Sequence, residues 1–253
     1  MTPASTPHDP LGDAPAPRPV RRGARRVPNA VLKPIMAVTG TLMGAFVLIH
    51  MIGNLKAFQG AEAYNAYAAW LRDVGYPLVP HEGLLWALRA VLAVCLLLHV
   101  ACGLLLRLRG RRARGAFRRR GIRPAALGAS SMTVTGVLLL VFVAVHLLDL
   151  TIGRLVSPAS FEEATRSGGQ VTAHAYENLL ASLSRPGMAV FYTLIMLVLG
   201  LHLAQGLWSV AHDLGATGRR LRTVLAVIAV ALALAIALAN GALPLLVLTG
   251  VLS

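Results

Sequence analysis

The sequence predicts an all-α membrane protein built as a bundle of five transmembrane helices. Of its 253 residues, 56% are hydrophobic and only 13% are charged, a composition typical of integral membrane proteins. The alternation of polar and apolar residues that marks strands is absent, so helices are the spanning architecture that remains. Five apolar segments reach about the 20 residues that a spanning helix needs. They cover residues 34–55, 83–106, 125–148, 187–211 and 223–251.

The chain divides into a tail and one membrane domain. Residues 1–30 are rich in Pro, Ala and Arg and lack an apolar period, which predicts a disordered basic cytoplasmic tail. Residues 31–253 form the predicted five-helix domain. Its first segment is too long for a cleaved signal peptide, and Pro244 is expected to kink the far end of the last. Residues 61–74 show an amphipathic helical spacing of aromatic side chains, and no convincing internal repeat is evident.

The basic residues give the predicted orientation in the membrane. The tail with Lys33, the loop 107–123 and the turn 219–222 carry 18 Lys and Arg, against five in the two other loops. This alternation is the positive-inside pattern of a multi-pass protein of the cytoplasmic membrane. It predicts a cytoplasmic N-terminus and an outside C-terminus. It also accounts for the net charge of +14, so nucleic acid is not a predicted partner.

Four histidines lie one apiece in the first four apolar segments. An ionisable side chain in hydrocarbon is costly and is therefore a functional-site candidate. The first and third segments run outward, which places His50 and His146 about 25 Å and 28 Å above the inner boundary. The second and fourth run inward, which places His99 and His202 about 12 Å and 15 Å from that boundary. The depths therefore match in two pairs.

Matched depths allow His50 to face His146 near the outer surface and His99 to face His202 near the cytoplasmic side. Two facing imidazoles are the axial ligands of a bis-histidine haem. The predicted fold class is thus a five-helix bundle that binds two haems, one above the other. For one isolated intramembrane histidine, a proton relay or a satisfied polar contact is the ordinary explanation. Four histidines at paired depths favour haem.

Three glycines lie three or four residues after a histidine and share its helix face. They are Gly53, Gly103 and Gly206. A missing side chain at these positions would leave room for a flat macrocycle. Small residues are also common wherever two transmembrane helices touch, so packing is the open alternative.

Three further polar residues are candidates for contacting a bound cofactor. Arg89 lies two turns into the second segment, His81 begins the turn before that segment, and His212 ends the fourth. His81 and His212 are predicted to bond a haem propionate or to help form a quinone pocket. Arg89 is predicted to pair with a propionate of the outer haem, and snorkelling is its alternative.

Several motifs resemble those of one known family. The likeness is to the single-subunit dihaem cytochrome b anchor of bacterial succinate:quinone oxidoreductase (succinate dehydrogenase or fumarate reductase), and it covers about residues 33–225. The motifs are His50-Met-Ile-Gly-Asn54-Leu-Lys-Ala-Phe, Ala63-Tyr64-Asn65-Ala-Tyr67, Pro80-His81-Glu82-Gly83, His146-Leu-Leu-Asp149-Leu-Thr151, and His202-Leu-Ala-Gln-Gly206-Leu-Trp208-Ser209 followed by Asp213-Leu-Gly215.

The resemblance implies five helices and two haems b, one held by His99 and His202 and the other by His50 and His146. It also implies a flavoprotein partner with FAD, on which succinate of the tricarboxylic acid cycle is oxidised, and an iron–sulfur subunit. Electrons would then pass through the inner and outer haems to a quinone, menaquinone. This chain has neither a dinucleotide fingerprint nor an iron–sulfur cysteine set, so succinate oxidation would belong to the partners.

Two surface features complete the predicted machinery. The basic loop 107–123 and the turn 219–222 are candidates for docking the iron–sulfur subunit, although enforcing the topology explains them equally well. Acidic residues near the outer face are candidate proton carriers for the quinone, and Glu82 and Asp149 lead because they lie at helix ends. The other two are Glu62 and Asp73.

Two other functions compete with this interpretation. A dihaem cytochrome b of another quinone-linked dehydrogenase, acting on formate or hydrogen, would share the four histidines. A haem-free proton-coupled transporter would also use intramembrane histidines, but it requires polar residues or broken helices at mid-depth. The spanning segments are nearly all Leu, Val and Ala apart from the histidines, which favours the cytochrome.

Overall fold

The computed structural model describes residues 27–114, 124–213 and 218–252, with only the backbone described at 114 and over 124–130. The predicted tail, residues 1–30, lies outside these ranges except for its last four residues. In chain order the described elements are α1 (Asn29–Asn54), a 3-10 helix (Leu55–Gln59), α2 (Ala61–Asp73), α3 (Gly83–Arg114), α4 (Pro124–His146), a π turn (Leu147–Thr151), β1 (Thr165–Ser167), β2 (Gln170–Thr172), α5 (Ala175–Leu183), α6 (Pro186–Asp213) and α7 (Arg219–Leu248).

Five of these helices are long and apolar enough to cross a membrane: α1, α3, α4, α6 and α7. The prediction of a mainly helical chain with five helices able to span a membrane is therefore confirmed. Some helices begin or end at residues other than the predicted bounds of the apolar segments, because a helix can continue beyond its apolar part. Helix α3 continues to Arg114 because arginine is a good helix former outside the bilayer as well. Helix α7 continues through Pro244 and ends at Leu248.

Helix α6 lies at the centre of the bundle and packs against α7, α4 and α1, while α3 packs mainly on α1. The most extensive contact is between α6 and α7, where small residues meet. Gly200 faces Ala233 and Ala237, both nearly inaccessible to solvent. Small side chains let two backbones approach, which is how helices associate where lipid supplies no hydrophobic driving force.

Replacing Gly200 with leucine is expected to separate α6 from α7. A Cβ atom at this position would lie 2.9 Å from Cβ of Ala237 and 3.2 Å from the carbonyl oxygen of Ala233. Overpacking of this kind costs about 1–3 kcal/mol. The apparent midpoint of thermal unfolding in detergent should fall, whereas Gly187→Leu on the same helix, where no described atom lies within 4 Å, should change it little. Equal midpoints for the two variants would contradict this packing.

The connections at the far end of α1 and α4 form one layer over the bundle, here named the cap (residues 55–82 and 147–185). Within it, α2 packs against α5 and β2, and α5 packs against α6 and α7. Its apolar centre includes Ala57, Tyr176 and Leu183, and Leu252 near the C-terminus packs there too. The sequence pattern predicted α2 over 61–74, and residues 151–186 were predicted to be a polar loop. It contains the β1–β2 hairpin and α5, which at nine residues is too short to be stable without these contacts.

Candidate functional site

The structure brings together the same two histidine pairs that helix depth predicted. His99 of α3 faces His202 of α6, with ring centroids 6.5 Å apart and ring planes at 67°. His50 of α1 faces His146 of α4, with centroids 5.9 Å apart and planes at 81°. The second pair lies at the cap end of the helices, and the first lies deeper in the bundle. We name them the inner pair (His99 and His202) and the outer pair (His50 and His146).

Each inner histidine has its Nδ1 atom against an acceptor on the neighbouring helix. Nδ1 of His99 lies 3.1 Å from the carbonyl oxygen of Met36 and 3.4 Å from Oγ1 of Thr39. Nδ1 of His202 lies 2.9 Å from Oγ1 of Thr135. Both threonine hydroxyls donate to carbonyl oxygens of their own helix, at Ile35 and Ser131, so their oxygens accept. Nδ1 of each ring therefore carries the proton, and Nε2 keeps its lone pair free for a ligand.

The outer pair has a different environment. Nδ1 of His146 lies 3.5 Å from the hydroxyl of Tyr192, and that hydroxyl donates to Oδ2 of Asp149 over 3.1 Å. Because a carboxylate only accepts, the phenol oxygen is left to accept from His146. Within the described residues His50 makes ring contacts alone: it faces His146 and stacks on Phe46 at 5.5 Å.

Asp149 is the one described carboxylate that is completely removed from solvent. It lies on the π turn that follows His146 directly, and such turns are frequent at functional sites. Arg185 pairs with its Oδ1 at 2.6 Å, and the hydroxyls of Ser182 and Tyr192 donate to its Oδ2. A buried charge requires this degree of compensation. The role of Asp149 as a proton carrier stays a prediction. Its contacts with Arg185, Ser182 and Tyr192 give this residue a structural role.

An internal repeat underlies the site, and reading the chain alone missed it. Residues 36–50 and 132–146 align with an offset of 96, and eight of the 15 positions are identical, including Thr39/Thr135 and the two outer histidines. In α3 and α6 the pattern His-x-Ala-x-Gly-Leu begins at His99 and at His202. The contacts repeat as well: each threonine bonds an inner histidine, and Phe46 and Phe142 each lie 5.5 Å from an outer one. Structurally equivalent residues therefore supply both members of each pair.

The glycines beside the inner rings are not the three that the sequence indicated. Gly40 of α1 approaches His99 so closely that a Cβ there would lie 2.9 Å from Cε1 of the ring. Gly136, its counterpart on α4, would place a Cβ 3.6 Å from Cε1 of His202. The predicted Gly53 instead makes room for the ring of Tyr67. Each glycine beside an inner ring lies on α1 or α4, whereas the ring belongs to α3 or α6. Spacing along the histidine's own helix therefore did not reveal it.

The two remaining predicted glycines have open surroundings. Gly103 meets only Sδ of Met36, at 3.9 Å, and Gly206 has no described atom within 4 Å of a Cβ position. Their role in leaving space for a macrocycle stays a prediction.

The pairs suit a metal that brings its other ligands with it. Two imidazoles bound to one ion from opposite sides, each at about 2 Å, have ring centroids about 6 Å apart. The observed 6.5 Å and 5.9 Å fit this requirement. Among the described residues no group of three His, Cys, Asp or Glu gathers to hold an ion. Each pair thus has the spacing of two axial nitrogens, which are the protein's share of a bis-histidine haem.

The other candidate residues make their described contacts outside the two pairs. The guanidinium of Arg89 lies 4.7 Å from the centroid of Trp86 on the same helix, and the ring of His212 lies 4.7 Å from that of Trp208. Glu82 is paired with Arg72 at 3.3 Å, and Glu62 is exposed on α2. The structure describes no hydrogen bond or ring contact between these residues and the four site histidines.

His81 belongs to an ionic cluster on the cap surface. Its Nδ1 lies 2.7 Å from Oδ1 of Asp73, Arg166 pairs with the same oxygen at 2.5 Å, and Tyr76 stacks on its ring at 4.0 Å. Hydrogen bonds from Arg166 and then from His81 hold the pKa of Asp73 below its usual value. The cluster ties the α2–α3 connection to the β1–β2 hairpin.

Acid is expected to release this hairpin. Because the pKa of Asp73 is lower in the folded protein, the cluster contributes stability above the ordinary Asp pKa of about 4, and this is lost as pH falls through the lowered value. Spin labels at Leu78→Cys and Ser167→Cys, in an otherwise cysteine-free background, should give one narrow distance at pH 6 that broadens at pH 3. With Asp73→Asn the distance should be broad at both pH values. An unchanged distance in that variant would contradict the assignment.

Comparisons of the chain with protein-family models, with curated proteins and with solved structures found no match.

Proposed function

We propose that this chain is the membrane anchor and electron-transfer subunit of a succinate:quinone oxidoreductase. It would hold two haems b and pass electrons from an iron–sulfur partner subunit to a membrane quinone, menaquinone. The observation that carries the proposal is the presence of two facing imidazole pairs, one above the other, each with ring centroids about as far apart as those of two axial ligands. The family resemblance of the surrounding motifs supplies the choice of complex.

The internal repeat supports a ligand that is the same on both faces and the same at both levels. Each pair takes one histidine from the first half of the repeat and its equivalent from the second half. An iron porphyrin has two axial positions, one on each face, that can both take an imidazole nitrogen, so it matches this arrangement. A proton relay has a direction, and nothing in its chemistry calls for equivalent residues on the two sides.

The protein's own residues have definite tasks in this proposal. Thr39, Thr135 and the carbonyl of Met36 hold the Nδ1–H groups of the inner histidines and thereby turn their Nε2 atoms toward the ligand. The Leu, Val and Ala side chains of the spanning helices would keep the surroundings of both levels apolar. Haem b, when bound, supplies reversible one-electron transfer, which none of the twenty side chains provides at this depth.

The placement in the membrane follows from charge. We assign the end that carries Arg107, Arg109 and the tail to the cytoplasm and the cap to the outside of the cytoplasmic membrane. The flavoprotein and iron–sulfur subunits would dock at the basic cytoplasmic end. The quinone would react near the outer pair, beneath the cap, where Glu82 and Asp149 are the candidate proton carriers.

The test is a reduced-minus-oxidised spectrum and pyridine haemochrome quantification on the complex purified through this chain. We expect two low-spin haems b per chain, both reducible by succinate, together with a flavoprotein and an iron–sulfur subunit in the preparation. Haem that formate or hydrogen reduces, with the corresponding partners, would assign the chain to another dehydrogenase. A preparation without a Soret band would overturn haem binding and return the four histidines to proton transfer or packing.

A further inference from the structure

The two levels of the site differ in what holds their histidines. At the inner level, the acceptors for Nδ1 lie on spanning helices α1 and α4, within the bundle. At the outer level, the acceptor for His146 is the hydroxyl of Tyr192, and that hydroxyl is bound by Asp149. Asp149 belongs to the cap. It lies near the end of the candidate membrane span Ser131–Thr151, and its partners Ser182 and Arg185 follow it in the cap, so the orientation of one outer histidine depends on cap residues.

The cap fixes Asp149 through a network of hydrogen bonds. Arg185 binds Oδ1 of Asp149 and also donates to the carbonyl oxygens of Val156 and Ser182, over 2.6 Å and 3.2 Å. Ser182 donates its own hydroxyl to Oδ2. The carboxylate is thus held between the π turn, the following loop and the end of α5. A displacement of any of these three segments would move the partner of Tyr192.

The repeat makes this network specific to one half of the molecule. The positions equivalent to Asp149 and Tyr192 in the first half are Gly53 and Arg89. Neither residue supplies an acceptor to His50, whose described contacts are with rings alone. The duplicated elements are therefore alike at the inner level and differ at the outer level. The difference lies at the end where the cap covers the bundle.

We propose that Tyr192 and Asp149 are positioning residues that fix the orientation and tautomer of His146 and so couple the outer haem to the conformation of the cap. The inner haem is held from within the bundle and is independent of the cap. This inference rests on the proposed function, because it takes the ligand of His146 to be haem. A hydrogen-bonded chain from an imidazole to a carboxylate makes the imidazole a stronger donor to the metal. It therefore stabilises the oxidised iron and lowers the reduction potential of the outer centre.

The experiment is a potentiometric titration of the purified complex, in which each centre is followed by its own absorption band. The outer band is identified as the one lost in His146→Ala. Tyr192→Phe keeps the ring contacts with Phe142 and removes the hydroxyl, so the potential of the outer centre should rise while that of the inner centre stays in place. Asp149→Asn keeps an acceptor but loses the charge, and it should shift the same centre in the same direction by a smaller amount.

Thr135→Val is the matched control, because it removes the equivalent acceptor from His202. It should shift the inner centre and leave the outer one unchanged. A second readout does not need haem: nitrogen NMR of labelled histidines should show Nδ1 protonated at His146 in the wild type and a mixture of tautomers in Tyr192→Phe.

The outcomes separate the two proposals. Two haems in Tyr192→Phe with an unchanged outer potential would overturn the coupling and leave the proposed function standing. A shift of both centres by the same amount would also overturn it, since it would indicate a general loosening of the bundle. A wild-type protein without haem would overturn the proposed function and, with it, the coupling.

Discussion

Alanine at any one of the four site histidines is expected to halve the haem content of the purified protein, from two per chain to one. His50→Ala and His146→Ala should lose the same haem, and His99→Ala and His202→Ala should lose the other. The reason is geometric: the members of each pair have ring centroids about as far apart as two axial ligands of one iron. Pyridine haemochrome quantification and low-temperature spectra of the remaining band measure the result.

His174→Ala is the control for this series. His174 lies in the cap, next to Glu162, and belongs to neither pair. It should keep both haems and full quinone reduction by succinate, whereas each site variant should lose quinone reduction. Variants that sort into any other two groups would contradict the pairing, even if both haems are present in the wild-type protein.

Arg185→Leu is expected to produce the largest loss of stability among single substitutions in the cap. It leaves the buried carboxylate of Asp149 without its cation, and breaking a buried ion pair costs about 3–5 kcal/mol. About a third of the Arg185 side chain touches solvent, so we expect a value toward the lower end. The apparent midpoint of thermal unfolding in detergent should fall accordingly, and haem should be lost from the outer pair first.

Two further variants test the cause of that loss. Adding Asp149→Asn to Arg185→Leu removes the uncompensated charge and should restore part of the midpoint. Arg154→Leu changes an exposed arginine of the same connection and should leave the midpoint near that of the wild type. An Arg185→Leu protein as stable as the wild type would show that the pair with Asp149 contributes nothing.

The main features of the fold follow from composition and periodicity. Five apolar segments and one basic end determine five spanning helices, because the bilayer leaves helices as the only way for an unclosed chain to satisfy its backbone. Helix rise then converts residue number into depth, and this placed His50 level with His146 and His99 level with His202. The depth of a residue along its own helix could therefore be predicted from the sequence.

The residues that support the site histidines could not be predicted from the sequence, because each of them contacts a residue on another helix. Thr39 and Thr135 lie on a different helix from the ring that they bond, and threonine in a spanning segment has the ordinary use of bonding its own backbone. Aligning the chain with itself at the histidines would have revealed them as a repeated Thr-Gly. Tyr192 and Arg185 had no such signal, since their partner Asp149 is more than 30 residues away and belongs to another element.

The sequence by itself determined which segments are long and apolar enough to span a membrane and how far along its helix each histidine lies, because these quantities depend on one dimension, the distance along a helix axis. The tertiary structure decided which faces of the helices meet, which acceptors lie beside Nδ1 of His99, His202 and His146, and that Asp149 bonds Tyr192 next to the outer pair. Those depend on rotation about the helix axes and on contacts between distant segments, and each requires all the neighbours to be in place.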